Sequence, residues 1–254
     1  MTVPVLVAVA LVFAAALVFA LCRCTWWWPR WPADVPCFVM LHSVADDVVD
    51  PACPNNTLRP RELEGLIAML ERHGYTLRKF SDAVADPGLR TAVLTFDDGY
   101  ADNYTNLFPI LKRHGVPATC FVTNRGDGDA RFLSREQMRE MAASGLVEFG
   151  GHTATHALLD GLGPDEVKRE IESNREWIAA VLGKAPEAFA YPCGRENPAV
   201  VEAVRRAGYA CAAAMVKKMR PPALDPWRIH RQIVPRGTSP FRAYLLATRG
   251  KWKI

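Results

Sequence analysis

Short apolar runs alternate with amphipathic segments along most of the chain. The segments between the runs repeat apolar residues at helical spacing, as at positions 63, 66, 67 and 70. This alternation predicts βαβ units and a largely parallel sheet. A single α/β barrel would use most of the 254 residues. The predicted strands are Cys37–Leu41, Thr91–Phe96, Ala118–Thr123, Val147–Phe149, Ala188–Tyr191, Tyr209–Ala214 and Ile229–Val234, with Tyr75–Phe80 as a further candidate.

Composition and charge give no indication of a nucleic-acid partner. The net charge is +4, and the basic residues are scattered rather than gathered into a patch. None of the seven cysteines forms a C-x-x-C pair, so neither a zinc ribbon nor a thioredoxin-like site is indicated. A disulfide between Cys37 and Cys53 is an alternative in an oxidising compartment, although an enzyme of this size does not depend on one.

The amino-terminal segment is long and apolar enough to cross a membrane. Val3–Cys22 carries no charge over about twenty residues. Arg23, Trp26–Trp28 and Arg30 follow, and Trp beside Arg suits the headgroup region. We predict a single transmembrane helix in an anchor over residues 1–24, a Trp- and Pro-rich linker over residues 25–36 and a globular domain over residues 37–254.

A cleaved signal peptide is the alternative, which the lack of a basic residue before the apolar run disfavours. The expected location is a membrane, crossed once, and in a bacterium the inner membrane. Arg23 and Arg30 favour a cytoplasmic domain, whereas an enzyme acting on an exported glycan needs the opposite orientation. The side that the domain faces is therefore left open, as is the oligomeric state.

Polar residues follow three of the predicted strands directly. Asp97 and Asp98 come after Phe96, His152 and His156 come after the strand at 147–149, and the turn Tyr191–Arg195 ends another strand. In parallel α/β architectures, catalytic groups collect at the carboxyl ends of the strands.

Asp98, His152 and His156 form a candidate metal site. Histidines at i and i+4 on a helical turn share one side and can bind one ion. Two imidazoles and a carboxylate suit zinc, and also iron or cobalt, and three protein ligands leave room for water and substrate. Asp97 then remains as a general base, and Gly99 permits the turn that the acidic pair requires. Each motif alone is weak, since Asp-Asp-Gly is usually a turn.

Three motifs, taken together, resemble those of the polysaccharide deacetylases, carbohydrate esterase family 4, which contain the NodB-homology domain. They are Thr95–Tyr100 (TFDDGY), His152–His156 (HTATH) and Phe189–Gly194 (FAYPCG), and the resemblance extends from Met40 to about Val234. It implies a distorted (β/α)7 barrel that removes an acetyl group from an N-acetylated sugar.

The resemblance also implies a role for each matched residue. Asp97 is the general base, and Asp98, His152 and His156 bind one divalent metal ion, zinc first, with cobalt, nickel or iron as alternatives. Tyr191 lies in the turn whose backbone N–H stabilises the oxyanion. Pro192 and Gly194 shape that turn at the substrate, and Arg195 adds positive charge near Asp97.

The chain departs from the family pattern in its third and last motifs. No Arg precedes Pro192 to pair with the base, and Cys193 stands where an aromatic residue is common. The last motif usually supplies a histidine as general acid, for which His230 is the late candidate, although strand alternation can turn it away from the pocket. His42, after the first barrel strand, is the other candidate for a pocket histidine.

The predicted function is metal-dependent removal of an N-acetyl group from a polysaccharide or a lipid-linked glycan. The alternative enzyme is a deformylase or amidase that acts on a lipid-linked sugar with the same metal centre. A carbohydrate-binding protein that has lost its chemistry is the non-enzymatic alternative, which the presence of the base and all three ligands disfavours.

Overall fold

The computed structural model describes residues 5, 7–9, 11–16, 30–215 and 225–250. Ten strands lie in this part of the chain: β1 (Cys37–Leu41), β2 (Ser43–Val44), β3 (Thr57–Leu58), β4 (Thr76–Leu77), β5 (Thr91–Phe96), β6 (Ala118–Val122), β7 (Val147–Gly151), β8 (Ala188–Ala190), β9 (Cys211–Met215) and β10 (Ile229–Ile233). The helices from residue 60 onward are α1 (Pro60–Arg72), α2 (Phe80–Ala85), α3 (Phe108–His114), α4 (Arg135–Ala143), α5 (Pro164–Leu182), α6 (Pro198–Arg206) and α7 (Pro240–Arg249).

Seven parallel strands close into a barrel. The sheet runs β1-β10-β9-β8-β7-β6-β5, and β1 also pairs with β5, which closes the ring. β4 extends the sheet beside β5, and β2 pairs with β3 outside the barrel. Each of the seven barrel strands overlaps one of the runs predicted from the sequence, although β7 and β9 extend past theirs to Gly151 and Met215, so the predicted (β/α)7 barrel is confirmed.

Side chains alternate between the barrel interior and the surrounding helices, as the two-residue period of a strand requires. Phe38, Val93 and Ile229 belong to one buried cluster, whereas Val39 and Leu94 belong to the larger cluster that includes α1. Continuing the interior positions along each strand leads from Val93 to Thr95 and Asp97, and from Ile229 to Arg231. The interior pattern therefore delivers polar groups to the carboxyl end of the barrel.

Local sequence signals explain where the helices begin. Ser134 caps α4: its hydroxyl accepts from the Gln137 amide, and the Gln137 side chain accepts from the Ser134 amide. This is the capping box expected from the sequence.

The predicted strand Tyr75–Phe80 is wrong beyond Leu77. The Phe80 amide donates to Thr119 Oγ1 and Glu148 Oε2, which starts α2 at that point.

Of the predicted anchor only residues 5, 7–9 and 11–16 are described, and of the predicted linker residues 30–36; the remainder of both lies outside the described residues. Within the ranges that are described, no helix is both long and apolar enough to span a bilayer. The end of the linker is packed rather than loose: Trp31 is buried, and its amide donates to the Thr248 carbonyl at the end of α7. Cys37 is buried, Cys53 is exposed, and both are free thiols, so the alternative of a disulfide between them is not met.

Candidate metal centre and active site

Most of the predicted site residues gather around one pocket at the carboxyl ends of the barrel strands; Pro192, Arg195 and His230 do not line it. Its volume is about 330 Å³. A larger groove of about 570 Å³ runs between α5 and α6, away from all three motifs. The pocket is lined by Met40, His42, Asp50, Cys53, Asn56, Asp97, Asp98, Tyr100, Arg125, His152, His156, Tyr191, Cys193, Gly194, Met215, Arg231 and Ile233.

Asp98, His152 and His156 converge on one point. One ligand atom from each lies within 4.8 Å of the others. Asp98 Oδ1 is 3.5 Å from His152 Nε2 and 3.3 Å from His156 Nε2. That oxygen is buried and has no hydrogen-bond partner, which is costly unless a cation meets it. Two imidazole nitrogens and a carboxylate oxygen are a donor set for zinc and its neighbours, so these residues fit a divalent metal ion.

The environment of Asp98 keeps its carboxylate charged. Burial raises its pKa, but the close approach of His152 and the charges of His152, His42 and His156 outweigh burial, so the pKa lies below its usual value. His152 is itself oriented by the fold. Its Nδ1 lies 2.8 Å from the Ala190 carbonyl, which leaves Nε2 to face Asp98.

The acidic turn after β5 depends on two left-handed backbone positions. Asp98 has φ +72° and Gly99 has φ +77°. A Cβ atom on Gly99 would stand 2.8 Å from Val122 Cγ1, closer than packed atoms tolerate. Glycine is therefore required at Gly99 for both its conformation and its space, as the sequence suggested.

The two candidate histidine ligands do not lie on a helical turn, which corrects the expectation from their spacing. His152 follows β7 directly, and residues 153–157 form an irregular loop. Thr153 and His156 have φ +64° and +65°, in the left-handed region. These two positions bend the chain so that both rings face Asp98, with centroids 4.9 Å apart.

Asp97 is buried and pairs with Arg231. The guanidinium donates to Asp97 Oδ1 at 2.6 Å and to Oδ2 at 2.8 Å, and also to Thr95 Oγ1 at 2.9 Å. Burial raises the pKa of Asp97, but Arg231 and the neighbouring His152 and His42 outweigh it and hold the pKa below its usual value. A bidentate pair of this kind fixes the carboxylate in position as well as in charge.

Sequence reasoning missed Arg231. The family Arg that is absent before Pro192 is replaced by one from β10, and Arg195, the predicted source of charge near Asp97, instead binds Asp160 at 2.8 Å. The signal was available in the strand pattern, because Arg231 is two residues beyond the buried Ile229 and so faces the interior. Ile233, two residues further, also reaches the pocket.

His230 does not reach the pocket. It lies between the two interior positions Ile229 and Arg231 of β10, and its Nδ1 contacts the Met215 carbonyl at 3.1 Å. Strand alternation therefore removes it as a general acid. His42 lines the pocket and interacts with the charges of Asp97 and Arg231, and burial lowers its pKa.

The turn after β8 has a different free amide from the one expected. The Tyr191 amide donates to the Ala213 carbonyl at 3.0 Å, so it is used in sheet pairing and cannot bind an oxyanion. The amides of Gly194 and Arg195 donate within the turn, and Pro192 has none. Cys193 is left. It is exposed at the pocket and has φ +54°. The Tyr191 hydroxyl donates to the Trp227 carbonyl at 3.1 Å, which ties the turn to the segment before β10.

Comparison with known proteins agrees with this geometry. Residues 85–212, half of the chain, match the sequence profile of the polysaccharide deacetylase family. YxkH of Bacillus subtilis (strain 168) is 31% identical over 186 residues, covering 70% of this chain and 63% of that protein. The poly-beta-1,6-N-acetyl-D-glucosamine N-deacetylase of Staphylococcus epidermidis is 30% identical over 158 residues, covering 57% of this chain and 55% of that enzyme.

The chain thus spans less than two thirds of each of these relatives. Among solved structures, the deacetylase PplD of Streptococcus pyogenes, in complex with acetate, superposes with a TM-score of 0.73 at 25% identity. That match covers 87% of this chain and 99% of the other. The profile match, together with the barrel and its three motifs, shows that this chain belongs to the polysaccharide deacetylase family.

Proposed function

We propose that this protein hydrolyses the N-acetyl group of an amino sugar in a glycan, releasing acetate and a free amine. The observation that carries the proposal is the juxtaposition in one pocket of an Asp–His–His ligand set and a separate, Arg-paired carboxylate. The two tasks of such a hydrolase, holding a metal ion and taking a proton, are thereby assigned to different side chains.

Asp98, His152 and His156 would hold the divalent metal ion, zinc first, with cobalt, nickel or iron as alternatives. Bound there, the ion would supply Lewis acidity to the amide carbonyl and lower the pKa of the reacting water. Asp97 takes the proton from that water. Arg231 keeps Asp97 ionised and pointed into the pocket, because it holds both carboxylate oxygens.

Two further groups complete the reaction. The Cys193 amide is our candidate donor to the oxyanion, since its neighbours in the turn are already committed. His42 is our candidate for the acid that protonates the leaving nitrogen, because it lines the pocket with Asp97. Pro192 and Gly194 support the turn: Pro192 is buried, and a Cβ on Gly194 would stand 2.6 Å from Met215 Cβ.

The substrate we propose is a polymer of N-acetylated amino sugar, with a lipid-linked glycan as the second form. The name of the Staphylococcus epidermidis relative, a poly-beta-1,6-N-acetyl-D-glucosamine N-deacetylase, supports the polymer. The test is to incubate the full chain with oligomers of β-1,6- and β-1,4-linked N-acetylglucosamine, with Zn²⁺, Co²⁺ or Ni²⁺ added after chelation. Acetate and free amine are measured together.

Metal-dependent release of acetate with an equal amount of amine supports deacetylation. Release of formate from an N-formyl sugar, without acetate from any acetylated one, would support the deformylase alternative. Saturable binding of oligomers with no hydrolysis under any metal would support the carbohydrate-binding alternative and overturn the proposal.

We also propose that residues 1–24 anchor the catalytic domain (residues 37–254) in a membrane, in a bacterium the inner one, through the linker at residues 25–36. The support is the uncharged sequence Val3–Cys22. The end of the linker packs beside α7, and from there the chain enters β1 at the end of the barrel opposite the pocket. An anchor attached through this linker would therefore join the domain at the end away from the pocket. Extraction by detergent, but not by carbonate or high salt, is the expected behaviour of the full chain. Release by salt alone contradicts it.

A further inference from the structure

Helix α5 touches the metal-binding loop at two places, one helical turn apart. Glu170 and Asn174 are separated by four residues, so their side chains lie on the same side of the helix. Both contact residues 152–155, the segment that carries His152 and leads to His156. Neither side chain touches a metal ligand's imidazole, and the mechanism above uses neither of them.

Glu170 holds the middle of the loop with three hydrogen bonds. Its carboxylate accepts from the Thr155 amide and from the Thr155 hydroxyl, each at 2.9 Å. Its backbone carbonyl accepts from the Ala154 amide at 3.0 Å. On the opposite side of the loop, Arg125 donates to the Thr155 carbonyl at 2.8 Å. The Ala154–Thr155 segment is therefore fixed from two directions.

Asn174 holds the start of the loop. It is fully buried, and its Oδ1 accepts from the His152 amide at 3.0 Å. Its Nδ2 donates to the Val122 carbonyl at 3.0 Å and to Asn124 Oδ1 at 2.8 Å. The side-chain oxygen and the side-chain NH₂ group of Asn174 are thus both hydrogen-bonded, which fixes the amide and orients the backbone of His152.

The loop needs such support because its conformation is unfavourable by itself. Thr153 and His156 are not glycines, yet both adopt left-handed φ values, and Thr153 is β-branched. Residues with side chains keep such values only where surrounding contacts enforce them. The contacts from Glu170 fall on Ala154 and Thr155, between these two positions, and the contact from Asn174 falls on His152, immediately before the first of them.

We propose that Glu170 and Asn174 are positioning residues that set the affinity of the Asp98–His152–His156 site by holding the histidine loop in its ligating conformation. The inference rests on the proposed metal site and adds the part of the fold that preorganises it. A loop released from α5 would sample other conformations, and only a fraction of the molecules would present both imidazoles to an ion.

The test measures the affinity of the full chain for Co²⁺, after a chelator has removed any bound metal. Binding is measured by calorimetry and by the visible absorption of bound Co²⁺. Glu170→Ala removes both side-chain acceptors, while alanine favours the helix. We expect Co²⁺ to bind about tenfold or more weakly, in the range typical of residues that orient metal ligands. At excess Co²⁺ the absorption spectrum of the bound ion should match that of the unmodified protein, since the ligands themselves are intact.

Two variants separate positioning from charge and from general stability. In Glu170→Gln the amide can accept from the Thr155 amide and donate to its hydroxyl, so we expect most of the affinity to return. Glu172→Ala is the matched control. Glu172 is on the same helix, 3.9 Å from Lys168, and should leave the Co²⁺ affinity within about twofold of the unmodified protein.

Three outcomes would overturn the inference: equal Co²⁺ affinity in Glu170→Ala and the unmodified protein, equal weakening by Glu170→Ala and Glu172→Ala, or no recovery in Glu170→Gln. Thr155→Val approaches the same contact from the loop and should weaken binding less, because it removes one of the three bonds. A different result would contradict the metal site of the proposed function itself. It is that the unmodified protein binds no Co²⁺, or binds it no more tightly than His156→Ala does. That result is distinguishable because it is seen without any change at Glu170.

Discussion

Arg231 and Asp97 form a buried, bidentate ion pair, with nitrogen–oxygen distances of 2.6 and 2.8 Å, that joins β10 to the turn after β5. Removing one partner of a buried pair strands the other charge, which costs far more than losing a surface pair. This pair therefore fixes the position and the charge of the proposed base and links two strands of the closed barrel.

Arg231→Met should destabilise the fold by about 3–5 kcal/mol and shift the acidic limb of kcat/KM to higher pH. Asp97 acts as a base only when ionised, and its folded pKa is depressed. Its contribution to stability is present above the unfolded value of about 3.9 and is lost as pH falls toward the folded value. Without Arg231 the pKa of Asp97 rises, so both losses begin at higher pH.

Urea unfolding and pH–rate profiles check this prediction. Arg206→Met, which breaks a surface pair with Glu202, should change the free energy of unfolding by less than about 0.5 kcal/mol. An acidic limb that stays in place in Arg231→Met would mean that Asp97 is not the titrating base.

Removal of the metal ion should lower the thermal stability of the protein. An ion bound only by the folded state stabilises it by about 2.7 kcal/mol at a free concentration of 100 times Kd. Thermal unfolding is measured with a chelator and with added Zn²⁺. His156→Ala should lose the response to Zn²⁺. His114→Ala should keep it, since that side chain is equally exposed, at 25%, but lies beside Glu64. An equal response in both variants would contradict the assigned ligand.

His42→Ala should lower kcat by about 10²- to 10⁴-fold, the usual contribution of a general acid. His230→Ala should change it by less than about twofold, because a side chain turned away from the pocket behaves as an ordinary strand residue. Both variants are assayed at saturating metal and substrate. The reverse order of effects would restore His230 as the acid and show that β10 has a different register in solution.

Gly99→Ala should destabilise the fold by about 1–3 kcal/mol and weaken metal binding. The added methyl would meet Val122 at 2.8 Å, and the residue would have to keep φ +77°. Gly161→Ala is the control, since a Cβ there meets nothing within 4 Å. Calorimetric unfolding and Zn²⁺ titration measure both effects. Equal stability of the two variants would show that the acidic turn relaxes without cost.

Patterns local in sequence were enough to predict the seven barrel strands and the residues that end them. A strand shows its period over a few residues, and the carboxyl ends of parallel strands must meet at one edge. Asp98, His152 and His156 could therefore be placed together before their distances were known. The capping box at Ser134 belongs to the same class, because both of its partners lie within one helical turn.

Tertiary structure decided what depends on distant partners. Arg231 lies 134 residues from the carboxylate it binds, and only closure of the barrel between β1 and β10 brings the two together. The Tyr191 amide is occupied because β9 lies beside it, and the histidine loop is bent because α5 holds it. Each is a hydrogen bond whose partner comes from another element, and the spacing of residues within one segment carries no information about such a partner.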